Sequence, residues 1–182
     1  MPHTPMRIAL VSILITGKVF CQEVFINEFH YDNIGGDVGE FVEVAGPADT
    51  NLAQYELIFY NGSNNRAYKS LALEGVIPNE AASGFGALAF MTSGIQNGAP
   101  DGIALIKDGD VLQFISYEGE FSAEDGPASG MSATDVRVRE VSTTPVGSSV
   151  QLIGSGSEYD DFSWNEPREE SPGKINDGQE FL

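Results

Sequence analysis

From residue 24 onward, short apolar and β-branched runs alternate with clusters of Gly, Asn, Asp, Pro and Ser. No stretch sustains an apolar repeat near 3.6 residues, so the pattern predicts strands and turns rather than helices. The runs place strands over 24–30, 40–45, 55–60, 67–73, 86–90, 102–107, 111–117, 136–140, 149–152 and 162–165. The sharpest local signal is Asp108-Gly109 between IALIK and VLQFI, because Asp and Gly accept the positive φ of a tight hairpin turn. Asn61-Gly62 ends the 55–60 strand in the same way. The segment 118–134 is rich in Gly, Ser, Ala and acids and reads as a long loop. Many short strands with frequent turns indicate one all-β domain, a sandwich or a barrel.

Three acids interrupt the apolar pattern. Glu28, Glu40 and Glu43 fall within strands, where acids are depleted. Strict alternation would send them to solvent. In EFVEV, however, Glu40 and Glu43 are three residues apart and so point to opposite faces. One of them is therefore expected to be partly buried and to need a hydrogen-bond partner. Trp164, the single tryptophan, is expected to pack in the core or at a sheet edge.

The N-terminus has a different character. Arg7, the apolar run 8–15 and Val19-Phe20-Cys21 have the layout of a secretory leader. The apolar run is shorter than the roughly 20 residues a membrane helix needs. We therefore expect a signal peptide over 1–21, a domain over 22–182, export from the cell and no membrane span; lipidation of Cys21 ranks below simple cleavage because Phe20 is bulky. Cleavage also removes the only cysteine. Seven of the nine Lys and Arg and all 27 Asp and Glu lie beyond residue 21, which gives the processed chain a net charge of −20. Such a charge repels phosphate backbones and disfavours autonomous nucleic-acid binding.

Candidate chemistry is sparse. His30 is the one histidine left after processing, and its strand-end position predicts a surface residue. One histidine without a thiolate cannot build a multi-histidine zinc site. Gly154-Ser155-Gly156-Ser157 lacks the spacing of a nucleophile elbow, and no phosphate-binding loop is present. No catalytic, cofactor or metal residue is assigned, and the chain is expected not to be an enzyme. Calcium, which takes six to eight oxygen ligands, is the best chemical alternative. The 32–40 loop, with Asp32, Asn33, Asp37 and Glu40, is its first candidate; Asp108 with Asp110, and Asp160 with Asp161, are weaker ones. Ordinary turn chemistry is the preferred reading of all these acids, since Asp and Asn favour turns on their own. A partner, if one binds, is expected at the loop carrying Tyr117, Phe121 and Met131.

Three stretches together resemble the lamin-tail domain family, in its secreted bacterial-type branch. They are FINEFHYD at 25–32 with GEFVEV at 39–44, LAQYELIFYN at 52–61, and FSW at 162–164 followed by SPGKIN at 171–176. The segment 94–105 is similar to the mid-domain hairpin of the same branch. Gln54 stands where that family usually has Gly. The resemblance implies an immunoglobulin-like β-sandwich acting as a non-catalytic protein-binding or structural module, with an unknown protein or cell surface as partner. It leaves two alternatives open: an accessory domain of a secreted nuclease or phosphatase system, and a calcium-dependent surface or adhesion module.

Overall fold

The computed structural model describes residues 24–98 and 100–182. The leader expected over 1–21, with Cys21 and the start at residue 22, lies outside the described residues. The described chain is all-β. Its strands are β1 (Phe25–His30), β2 (Phe41–Pro47), β3 (Tyr55–Asn61), β4 (Arg66–Ala72), β5 (Phe85–Met91), β6 (Asp101–Lys107), β7 (Asp110–Tyr117), β8 (Thr134–Asp135), β9 (Ser148–Gly156), β10 (Phe162–Glu169) and β11 (Gln179–Phe181). One sheet runs β10-β9-β1-β2-β5, with β11 parallel to β9; the other runs β4-β3-β6-β7-β8. Apolar side chains from both sheets meet in one core, giving a two-layer, sandwich-like architecture.

The pleat explains why the strands read as nearly continuous apolar runs. Along β3, Leu57 and Phe59 face the central core, while Ile58 and Tyr60 join a second cluster on the outer face. β6 divides the same way, with Ile103 and Leu105 inward and Ala104 and Ile106 outward. That outer face is covered by the 118–134 loop, which contributes Phe121, Ala123, Ala128 and Ala133. The outer face of the first sheet is covered as well: Phe25, Ala45 and Phe85 pack against Phe181 from the C-terminal segment. Both sheets are thus apolar on two sides, a pattern that alternation alone does not reveal.

A register shift in β1 sets the positions of the acids. Pairing with β2 slips between Ile26 and Glu28, so Ile26 and Phe29 both reach the central core although they are three residues apart. Glu28 then lies directly opposite Glu43. Both are fully buried rather than solvent-facing, and Glu40 is buried too. Each is paired with backbone. Glu28 accepts from the Ser171 amide (2.9 Å), Glu43 from the Gly173 amide (2.6 Å) and Glu80 from the Ile175 amide (3.0 Å), so three carboxylates hold alternate amides of one C-terminal turn. Glu40 accepts from the Gly94 and Ile95 amides, both at 2.7 Å. Burial with a hydrogen-bond partner, expected of one of Glu40 and Glu43, holds for both, and Glu28 shares it. Like-charge proximity need not strain this cluster. The Ser171 hydroxyl sits 3.0 Å from Glu28 Oε2 and 3.1 Å from Asn176 Oδ1, and its single proton serves only one of them. Asn176 Nδ2 donates to the Asn27 and Leu152 carbonyls, so its Oδ1 is the acceptor. A proton on Glu28 completes the chain from carboxyl to hydroxyl to amide oxygen. Burial pushes the Glu28 carboxyl up in agreement with that count, and burial followed by the neighbouring Glu28 pushes Glu43 up.

Nine of the expected strands have counterparts. The exception is 136–140, which is not a strand. Arg137 adopts φ 64° and its amide turns to Asp135 Oδ1 (2.9 Å), which breaks the extended run; only the two residues of β8 pair with β7. β8 and β11 lie outside the expected set. The hairpin at Asp108-Gly109 is present, with both residues at positive φ (51° and 90°). Trp164 packs edge-to-face on Phe29 at 5.3 Å and donates Nε1–H to Tyr159 Oη, as expected of a packing residue.

Candidate functional site

One end of the sandwich gathers the polar side chains that packing leaves over. At its centre is His30, the last residue of β1. It is fully buried rather than at the surface, as is its partner Glu140. His30 Nδ1 lies 2.8 Å from Glu140 Oε1, and Nε2 lies 3.1 Å from both Asn33 Oδ1 and the Val38 carbonyl. The Asn33 orientation is fixed, because its Nδ2 donates to the Ile34 and Gly36 carbonyls. Both ring nitrogens therefore face acceptors, and only the imidazolium satisfies both. Burial alone pushes the ring down; the hydrogen bond to Glu140 and its charge outweigh burial and carry His30 up to about 9. Glu140 Oε2 meanwhile accepts from the Tyr31 (2.6 Å) and Asp32 (2.9 Å) amides. Burial pushes the Glu140 carboxyl up, against the hydrogen bonds from His30 and the Tyr31 and Asp32 amides; every partner of this carboxylate is a donor, which supports Glu140 as the anion of a buried ion pair.

The pair braces two loops. One is 33–38, tied to His30 through Asn33 and Val38. The other is 141–146, tied to the first by the Ile34 amide donating to the Thr144 carbonyl (2.9 Å). The Val141 amide closes the second loop on Thr144 Oγ1 (2.8 Å). Each loop exposes aliphatic side chains: Ile34 and Val38 on the first, Val141 and Val146 on the second.

Beside them opens a cleft of about 600 Å³. Val138, Val141, Pro145 and Pro167 supply apolar wall, Arg137 and Arg139 line it, and Glu118, Asp135 and Glu166 supply its acids. Two of those acids are committed elsewhere. Glu118 accepts from Tyr31 Oη (3.3 Å), and Asp135 accepts from the Arg137 amide (2.9 Å). Neither arginine has an ion-pair partner among the described residues.

The candidate calcium loop is only partly assembled. Asp37 accepts from the Asn33 amide (3.3 Å) and from Asn97 Nδ2 (3.2 Å). Burial, then the nearby Asp37, pushes Asp32 up. Asp32 and Asp37 are neighbours, while both oxygens of Glu40 are occupied by the Gly94 and Ile95 amides. No group of three metal-ligating side chains occurs among the described residues. Asp161 caps the Ser157 and Glu158 amides, which hold its carboxyl below the usual range. The expected partner loop is also corrected: Tyr117 and Phe121 are buried in intramolecular packing, and only Met131 is exposed. The hydrophobic cover that 118–134 gives the second sheet consumes its aromatics.

The residues that sequence reasoning passed over are Glu140, Arg137 and Arg139. The available signal was two arginines one residue apart in a chain otherwise dominated by acids. No family model, curated protein or solved structure matches the chain. No helix among the described residues is long and apolar enough to cross a membrane.

Proposed function

We propose that this chain is an exported, non-catalytic binding module of lamin-tail type, an immunoglobulin-like sandwich that presents one end to a protein partner. The observation that carries the reading is the pair of loops at 33–38 and 141–146. They display Ile34, Val38, Val141 and Val146 to solvent while a buried His30–Glu140 pair fixes them from beneath. Exposed aliphatics on a rigid frame suit recognition, because little ordering entropy is lost on docking. The same pair speaks against turnover. The one imidazole among the described residues that could act as a general base is sealed, charged and fully hydrogen-bonded. The lamin-tail reading gains support from the contacts between its motifs: the acids of INEF and EFVEV grip the SPGKIN turn directly.

The test is a double variant, Ile34→Asp with Val146→Asp, compared with wild type by cross-linking in the medium into which the chain is exported. A partner retained by wild type and lost from an equally stable variant is the expected result. Equal capture by both proteins overturns the placement of the binding end. Turnover of phosphoester, nucleic-acid or glycan substrates by the isolated chain overturns the non-catalytic reading.

A further inference from the structure

Resting on that binding-module reading, we infer that the cleft beside the aliphatic loops is an oxyanion site, in which Arg137 and Arg139 grip a carboxylate, phosphate or sulfate group of the ligand. Two observations carry this, and the first is charge. The processed chain has 27 acids against seven Lys and Arg. Arg66 lies within 4 Å of Glu124 and Asp125, and Arg168 lies 2.8 Å from Asp177. Arg137 and Arg139 nevertheless stand one residue apart with no carboxylate within ion-pair distance among the described residues, and both are exposed on the same cleft. Two neighbouring guanidiniums repel each other, and an oxyanion between them relieves the repulsion while meeting planar, forked donors.

The second observation is backbone geometry. Arg137 sits at φ 64°, a conformation that costs a side chain with a Cβ and that Gly or Asn adopts more readily. The kink is fixed on both sides, by the Val136 amide on the Ser116 carbonyl (2.9 Å) and by the Arg137 amide on Asp135 Oδ1. The turn takes Arg137 out of the extended run, and both arginines line the one cleft. An arginine at the one position of the segment where glycine fits best is there for its side chain.

The cleft volume of about 600 Å³ falls in the range of small-ligand sites. No aromatic ring lines the cleft, so it has no stacking platform for a base. Glu118 and Asp135 keep their charge while accepting hydrogen bonds, so the cleft holds three acids against two arginines; Glu166 alone among them has no side-chain hydrogen bond or ion pair among the described residues. The site therefore takes a ligand carrying an oxyanion toward the arginines and a hydroxyl or ammonium toward Glu166.

The experiment titrates the full chain, ¹⁵N-labelled, with citrate and separately with inorganic phosphate at low ionic strength. The amides of Gly119, Val138 and Arg139 are followed, with wild type, Arg137→Gly, Arg139→Gln, Glu166→Gln and Arg66→Gln compared. Saturable shifts at these amides are expected in wild type. Binding should be weaker by about tenfold to a hundredfold in the Arg137 and Arg139 variants, as for loss of a charged hydrogen bond. Glu166→Gln should tighten binding and Arg66→Gln should leave it unchanged. Arg137→Gly should also melt no lower than wild type, because glycine relieves the positive φ, so loss of binding there is not loss of fold. Citrate alone saturating assigns a carboxylate ligand, and phosphate alone assigns a phosphate or sulfate ester. Absence of saturation up to about 10 mM, a range that covers weak millimolar sites, overturns the inference, as does equal weakening by Arg66→Gln. Those outcomes leave the binding-module reading standing if cross-linking at Ile34 and Val146 still discriminates.

Discussion

The buried His30–Glu140 pair makes stability depend on pH in a specific window. The folded His30 ring is carried from 6.5 to about 9, so folding takes up a proton between those values. A base whose folded pKa is raised stabilises fully below its unfolded pKa and loses that contribution as pH rises through the folded one. At 1.36 kcal/mol per unit, the shift corresponds to about 3 kcal/mol, present below pH ~6 and gone by pH ~10. With a urea m-value of about 2 kcal/mol/M, the midpoint should fall by roughly 1–2 M across that window. The assay is urea unfolding from pH 6 to 10 on wild type and His30→Gln, where the difference between the two profiles isolates this ring from Glu28 and Glu43. The variant should start lower and lack the His30 part of the slope. A second readout does not require the variant to fold. His30 is the only histidine beyond His3, so its ring nitrogens can be followed directly by NMR in wild type. Both should carry protons at pH 7.5. A ring that titrates near 6.5, or two parallel urea profiles, refutes the buried imidazolium.

Other consequences follow from the same contacts. Glu43→Ala removes the acceptor of the Gly173 amide and of Asn27 Nδ2, and should cost about 2–4 kcal/mol while loosening the turn around the already exposed Lys174, so that trypsin cleaves there faster; unchanged cleavage after Lys174 counts against the three-carboxylate clasp. Gly86→Ala places a Cβ 2.0 Å from the Pro78 carbonyl oxygen, and chemical unfolding should show a loss of about 3 kcal/mol or more. Phe121→Ala empties an edge-to-face contact with Phe114 at 5.5 Å and should cost about 3 kcal/mol, with hydrogen exchange rising in the loop 118–134; protection equal to wild type would mean the loop is held by something else. Because Glu40 is spent on the Gly94 and Ile95 amides, millimolar calcium should leave the thermal midpoint within about a degree of the chelated protein, and a rise of many degrees would restore the Asp32–Glu40 loop as a metal site.

Strands were the legible part of this sequence because their signal is local. Turn residues such as Asp108-Gly109 and apolar runs such as IALIK specify pieces without reference to the rest of the chain. The miss at 136–140 is local as well, but concealed: VRVRE alternates as a strand should, and only the Asp135 side chain, by capturing the Arg137 amide, diverts it. β11 was beyond reach for a different reason, since its three residues carry almost no pattern of their own and pair in parallel with β9 across the intervening β10. The site was less legible still. His30 reads as a strand end, and its burial depends on Glu140, 110 residues away. The aromatics of 118–134 looked available for a partner because nothing local says that the second sheet is apolar on its outer face.

The distribution of acids has a structural logic that the net charge conceals. Four buried or partly buried carboxylates join segments far apart in sequence by accepting backbone amides: Glu28 to Ser171 spans 143 positions, Glu43 to Gly173 spans 130, Glu140 to Tyr31 spans 109 and Glu80 to Ile175 spans 95. No cysteine lies among the described residues, so no disulfide can perform this long-range joining there. A hydrogen bond to a charged group contributes about 1.5–3 kcal/mol where a neutral one gives about 1; the first figure applies to the ionised Glu140 and the second to Glu28, which carries a proton, and each of the four acids takes two or more donors. These acids thus act as non-covalent staples at the two places where irregular chain must be held against a sheet. One is the C-terminal turn over the first sheet. The other is the loop pair at the His30 end, where the same device, with an imidazolium added, fixes the surface that carries the exposed aliphatics and the two unpaired arginines. Of the four, Glu28, Glu43 and Glu80 hold the C-terminal turn and Glu140 braces the His30 end.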